Sequence, residues 1–227
     1  MKRKEIKQIT NLNWFPFFLK KLITEFLSWF VLKVNASKPF IPVITKILTT
    51  TKTKKIINVE FNNGAGIETV TPFLEKDIEV LSINYNNFNT NKNGLYLFVN
   101  CFHQFSPDKA KRNLKRICES GNPIVIVEGN NDSLWQIVGM TIFVPLSVLL
   151  SAPFVKPFRI SRILFTYIIP ILPIVIMIDG CIALLKLYNP ADLTEITSSL
   201  QNYNYKWKSG KSDNGRGGKI MFLTGKK

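Results

Sequence analysis

The spacing of hydrophobic positions changes several times along the chain. From Pro16 onward, Phe18, Leu22, Phe26, Trp29 and Phe30 recur at helical spacing, while Lys20, Lys21, Glu25 and Lys33 fall elsewhere, which predicts an amphipathic helix. After Pro39, Pro42 and the Thr/Lys run at 49–55 the pattern becomes short and apolar. Ile56-Ile57-Asn58-Val59-Glu60 predicts a strand that ends in an acidic residue and runs into the glycine turn Phe61-Asn62-Asn63-Gly64-Ala65-Gly66. Further strands are predicted at 78–83, 95–100 and 123–128, the last an unbroken apolar run suited to a buried parallel sheet. Between the last two, Ser106-Pro107-Asp108 reads as a cap with proline at the first helical position, opening a basic helix to about Glu119. Pro72, six residues past Gly66, limits the segment after the glycine turn to a short or irregular helix. Strands alternating with helices predict an α/β sheet covered on both faces.

Two long apolar stretches follow. Residues 137–155 carry no charge over 19 positions, and residues 163–178 none over 16, between Arg162 and Asp179. Length alone would let the first cross a bilayer, but Pro145 and Pro153 interrupt it, as Pro170 and Pro173 interrupt the second. Buried lid helices are the preferred expectation, and membrane spans at 137–155 and 163–185 the alternative. The chain closes with Tyr203-Asn204-Tyr205-Lys206-Trp207-Lys208, a Gly/Ser/Asp/Asn-rich turn and Ile220-Met221-Phe222-Leu223, which predicts a hairpin at the sheet edge within 203–224. The chain therefore divides into an N-terminal helical segment (1–54), an α/β core (55–131), an apolar helical lid (132–190) and a C-terminal helix with hairpin (191–227).

Composition narrows the chemistry. Of 227 residues 46% are apolar, enough for one sizeable core, and 30 Lys+Arg against 15 Asp+Glu leave the chain at +15. The excess is terminal: residues 1–55 hold 12 basic and 2 acidic residues, whereas residues 56–131 hold 7 and 8. A basic surface can bind phosphates, yet no helix-turn-helix, RNP or zinc-finger signature accompanies it, so nucleic acid is not the expected partner. Cys101, Cys118 and Cys181 are odd in number and irregularly spaced, and there is one histidine, His103. That excludes a disulfide scaffold and a metal site of soft ligands, and it fits a reducing, cytoplasmic compartment. The apolar run at 14–19 is cut by Lys20 and Lys21, so it is not expected to be a secretory signal. The helix that follows packs on a core or, on an alternative reading, lies on a membrane surface through its basic residues.

Taken together, these residues resemble class I S-adenosylmethionine-dependent methyltransferases, in particular a bacterial group within them. Glu60 through Gly66 is similar to that family's first motif, with Asn62 where a glycine is usual. The resemblance extends to Asn13-Trp14-Phe15-Pro16, to Phe102-His103-Gln104-Phe105-Ser106-Pro107, and to the stretch from Thr166-Tyr167-Ile168-Ile169-Pro170 to Asp179-Gly180. The terminal hairpin is similar to the family's sixth and seventh strands. The resemblance implies a Rossmann-like fold, mostly parallel, with a helical lid, and methyl transfer from S-adenosylmethionine to a small, partly apolar acceptor under a cover of Phe143, Phe154, Phe158, Phe165 and Tyr167.

It also implies site residues. Glu60, Asn62, Gly64, Gly66, Asn84 and Asn100 would bind the cofactor, and His103 and Glu128 would act on the acceptor. An imidazole, with an ordinary pKa of about 6.5, can take a proton from an acceptor oxygen or nitrogen; capping the following helix or packing on Phe105 is the structural alternative for His103. Asp179, in apolar surroundings, must find a partner if buried. Two departures count against catalysis. The family places a carboxylate at the end of strand two, where this chain has Asn84, and only ten residues separate Asn84 from Leu95, too few for a third strand and its flanking helices. A non-catalytic protein of the same ancestry is the alternative.

Overall fold

Alternation along three short strands organises the molecule. In the computed structural model, which describes residues 3–61, 65–130 and 133–227, β1 (Lys55–Glu60), β3 (Leu95–Val99) and β4 (Ile124–Glu128) lie parallel at the centre of a sheet. β2 (Glu79–Asn84) pairs parallel with β1 at one edge. The hairpin of β5 (Lys206–Asp213) and β6 (Lys219–Lys226) adds antiparallel through β6 at the other. The order is β2-β1-β3-β4-β6-β5. Each predicted strand is present within one or two residues of its expected span, and the hairpin begins three residues later than expected.

Both faces of the sheet are covered, which explains why β3 and β4 read as unbroken apolar runs. Tyr96, Phe98, Ile124 and Ile126 point to one side, where α3 (Pro107–Ser120) contributes Ala110, Leu114, Ile117 and Cys118, and α7 (Pro190–Ser198) contributes Leu193. Leu95, Leu97, Val99, Val125 and Val127 point to the other, against Ile44, Ile47 and Leu48 of α2 (Ile41–Thr51). α3 starts at Pro107 as expected, but the Ser106 side chain makes no capping hydrogen bond. Helix α7 is closed by a capping box between Asn189 and Asp192.

The connection from β1 to β2 is two 3-10 turns, Ile67–Thr69 and Thr71–Phe73, because Pro72 forbids a longer helix. Between β2 and β3 there is only the turn Tyr85–Asn87, and among the described residues no strand lies outside β2.

A second, wholly helical layer lies across the C-terminal ends of the strands. α1 (Phe17–Lys33), α4 (Leu134–Ser151) and α6 (Ile171–Lys186) share a small core of Leu19, Leu22, Ile23, Phe26, Val148, Leu172, Val175 and Ile176. Here two expectations need correction. The buried stripe of α1 is Leu19, Leu22, Ile23 and Phe26, while Phe18, at helical spacing with it, is half exposed against Phe165. The first apolar stretch of the lid is not buried, since of the residues of α4 only Val148 is, whereas α6 buries Leu172, Val175, Ile176, Ala183 and Leu184. Phe143, Phe154, Phe158 and Tyr167, expected to cover an acceptor, face outward. An all-apolar helix gives no periodic signal for which face turns inward. The second apolar stretch is bent by 78° where α5 (Ile160–Ile163) and the π-helical turn Leu164–Ile168 meet α6, so it is not one straight span.

One ion-pair cluster joins this layer. Glu25 accepts from Arg159 Nε and Nη2 at 2.7 and 2.6 Å and from Arg162 Nη2 at 2.7 Å. Arg162 is 1% exposed and also donates to the carbonyls of Val155 and Pro157. Burial opposes ionisation of Glu25, but the hydrogen bond and charge of Arg159, with Arg162, outweigh it and hold the carboxyl below its ordinary value.

Candidate functional site

Parallel strands bring their C-terminal ends to one edge, and the residues that follow them face the helical layer across it. Asn100, just past β3, has a left-handed backbone (φ 51°), a conformation asparagine tolerates better than most residues. Its side chain donates to Ala65 O at 2.7 Å and accepts from Gly129 N at 2.7 Å. One residue thereby ties the glycine turn after β1 to the loop after β4. Room for this is tight, since a Cβ on Gly129 would meet Asn100 Oδ1 at 3.3 Å and Phe40 Cζ at 3.4 Å.

His103 and Glu128 form a buried pair, 6% and 7% exposed. Glu128 accepts from the His103 backbone N at 3.1 Å, and His103 Nδ1 lies 3.1 and 3.0 Å from its two carboxylate oxygens. Nδ1–H donating to the carboxylate leaves Nε2 as an acceptor, and the Gln104 amide nitrogen stands 3.1 Å from it as the matching donor. The Gln104 carbonyl accepts from Lys186 Nζ at 3.2 Å and Asn11 Nδ2 at 3.3 Å, and its amide also donates to Gln8. Burial, with the charge of Arg3, pulls the Lys186 ammonium below its ordinary value, and Asp179 partly opposes this.

The segment before α1 closes the site. Asp179 is buried in α6 and accepts from Ile9 N, Thr10 N and Thr10 Oγ1 at 2.5, 3.0 and 2.6 Å. Arg3 donates to Phe105 O at 2.7 Å and lies 4.3 Å from the centroid of the Tyr188 ring. The partner that Asp179 required is thus a strap at 3–11, which sequence spacing alone could not show.

Two cavities open at this edge. The larger, about 340 Å3, touches Ala65, Asn100, His103, Glu128 and Gly129 on the sheet side, and Met140, Val144, Ile176 and Asp179 on the helical side. The smaller, about 190 Å3, is lined by Glu60, Phe61, Gly66, Glu68 and Cys101, with Thr24 and Ser28 of α1 above. Glu60 and Gly66 therefore sit together, and Asn100, His103 and Glu128 sit together next door. Asn84 lines neither cavity. It lies opposite Glu60 in register, and its carbonyl caps the following turn by accepting from Asn86 N at 2.9 Å. Asn62 and Gly64 lie outside the described residues. Burial, reinforced by the Glu128 charge, pushes the Cys101 thiol far above the ordinary range.

Gln104, Gln8, Asn11 and Lys186 were not anticipated as site residues. The one signal for Lys186 was a lone cation ending an apolar helix; Gln8 and Asn11 gave none.

No family model matches the chain, and no curated protein does. Solved structures similar to it include the plantazolicin methyltransferase BpumL with SAH, at 12% identity over 92% of this chain and 97% of that one, TM-score 0.41. The same enzyme with a triazolic desmethylPZN analogue and SAH gives 11% identity, 92% and 98% coverage and TM-score 0.47. Magnesium protoporphyrin IX methyltransferase from Synechocystis PCC 6803 with bound SAH gives 8%, 86%, 85% and 0.40. What decides the fold is the strand order, a parallel sheet closed by an antiparallel terminal hairpin, with no strand beyond β2 among the described residues. The fold is Rossmann-like, an open α/β sheet. In such sheets ligands bind at the C-terminal ends of the strands, and both cavities lie there.

Proposed function

We propose that the chain transfers a methyl group from S-adenosylmethionine to a small, partly apolar acceptor. The observation that carries this reading is the buried His103–Glu128 pair opening onto a cavity of about 340 Å3 that also reaches the glycine turn at Ala65. That volume is within the range of small-molecule sites.

The residues present fit the cofactor at its methionine end. Glu60 offers a negative charge to the amino group beside the turn at Gly66, within a cavity into which α1 presents the hydroxyls of Thr24 and Ser28. At the nucleoside end the fit rests on fewer contacts. With its carbonyl engaged, Asn84 retains its amide N–H groups for the ribose hydroxyls. Tyr85, stacked on Phe61 at 3.9 Å, is half-buried and supplies an aromatic surface for the base. When bound, the cofactor supplies an already activated methyl group.

The protein's part is then alignment, exclusion of water and removal of one proton. His103 Nε2 receives the proton once the Gln104 amide turns away from it. Glu128, bonded to Nδ1, holds the tautomer and stabilises the imidazolium. Asn100 fixes the two loops between which the reacting atoms meet. Ile23, Phe26, Leu27, Val144 and Ile176 favour an acceptor with an apolar body, and Gln8, Asn11 and Lys20 line its polar side. A cavity of this size suits a small acceptor. A cytoplasmic setting agrees with three free thiols, two of them buried.

Calorimetric titration of the full chain with S-adenosylmethionine and S-adenosylhomocysteine tests the reading. Micromolar binding that Glu60→Ala abolishes supports it. No heat at millimolar ligand, from protein shown to be folded by circular dichroism, overturns it in favour of a non-catalytic role.

A further inference from the structure

The outer surface of the helical layer is largely apolar, and none of the described residues covers it. Only 11% of the most apolar window of Leu134–Phe154 is buried. Trp135, Phe143 and Leu150 are 83%, 66% and 67% exposed. The surface continues through Tyr167, whose hydroxyl donates to Leu149 O, and through Phe165, which meets Phe18 at the start of α1 at 5.5 Å between ring centroids. Soluble monomers rarely leave so large a patch to water.

One observation permits a lipid cover and a second selects it. The first concerns the hydroxyls on α4: Thr141 and Ser147 donate to the carbonyls of Ile137 and Phe143 in the preceding turn, at 2.9 and 2.6 Å. Their polar atoms are satisfied within the helix and add no unmet polar group to the surface, which permits hydrocarbon surroundings. The second is charge. The chain carries +15, and two exposed cations adjoin exposed apolar residues in the chain, Lys21 in the first turns of α1 after Phe17 and Phe18, and Lys156 between Phe154 and Phe158. A second copy would bring like charges together, whereas an anionic lipid leaflet is complementary to them.

We propose that this surface seats the protein on an anionic phospholipid leaflet, with α4 lying in the plane of the interface. α4 does not span, because its inner side packs on α6 and walls the larger cavity with Met140 and Val144. This inference stands on surface chemistry alone and does not depend on methyl transfer.

The test is co-sedimentation of the purified full chain with vesicles of phosphatidylcholine alone and of phosphatidylcholine with phosphatidylglycerol, at low and high salt. Binding is expected to the anionic vesicles. The pair Phe143→Glu and Leu150→Glu should weaken it by about tenfold or more, with circular dichroism unchanged because both side chains are exposed. Lys21→Glu with Lys156→Glu should weaken it at low salt and leave little salt dependence. Unchanged vesicle binding by the Phe143/Leu150 pair would overturn the proposal. So would a wild-type chain that ignores anionic vesicles, whether it stays monomeric or forms a dimer by light scattering. Association that resists alkaline carbonate overturns the interfacial placement of α4.

Discussion

The central strands β3 and β4 and the helix α4 are built from similarly apolar residues, yet they use them in opposite ways. In β3 and β4 every residue is buried, and alternate side chains serve different cores on the two faces. α4 is as apolar as either strand and buries one residue. The sheet is held by side-chain packing. The helical layer is held by a narrow seam of α1, α4 and α6, plus a few polar ties: Glu25 to Arg159 and Arg162, and Asp179 to the strap at 3–11. Hydropathy reports that a segment prefers to leave water; it does not say whether protein or another phase receives it.

The contrast is broken or sharpened by substitution, measured by chemical denaturation of the full chain. The largest effect is expected in the sheet. Phe98 is fully buried against Phe88, Phe102 and Phe105, so Phe98→Ala should cost about 3–5 kcal/mol. A loss below about 1 kcal/mol would mean that the sheet is not the packed half. Glu25→Gln should come next, at about 3 kcal/mol, because it leaves the 1% exposed Arg162 without its carboxylate.

The same cluster predicts a pH dependence. The Glu25 carboxyl is lowered from its ordinary 4.5. Its stabilisation is therefore fully present above that value and is lost as pH falls through the lower, folded value. An acid titration should show a loss below about pH 4.5 that is smaller in Glu25→Gln; identical curves would remove the cluster from the account.

Asp179→Asn should cost about 1.5–3 kcal/mol, since Ile9 N and Thr10 N donate to different carboxylate oxygens and an amide leaves one of them facing an NH2 group. Its signature should be local. Limited proteolysis should cut within residues 3–15 faster, while amides of β3 and β4 keep their slow exchange. The smallest effect belongs to the outer face of α4: Phe143→Ala, at a site 66% exposed, should fall within about 0.5 kcal/mol of wild type.

How legible the molecule is from its sequence follows the same division. The strands could be read because short apolar runs bounded by turns have few other uses, and Pro72 announced the broken connection after Gly66. The missing outer strand could be read by counting the ten residues between Asn84 and Leu95. At the site, the neighbourhood of Glu60 with Gly66, and of Asn100 with His103 and Glu128, follows from parallel strands ending at one edge. Other features could not be read. The direction faced by α4 leaves no periodic trace. The cap expected of Ser106 is not made, and Asn84 spends its carbonyl on a local turn, because a short polar side chain has several near-equal partners. Gln8, Gln104 and Lys186 converge only through tertiary structure.

The strap has a consequence for how the protein is made. Ile9 and Asp179 are 170 positions apart, and Gln8 and Gln104 are 96 apart. On a ribosome the strap emerges early and must wait, unpartnered, until α6 has followed it out. The sheet strands β1 to β4 can pair long before that. The cavity around His103 is therefore closed by one of the last long-range contacts to form, after the scaffold beneath it is already standing.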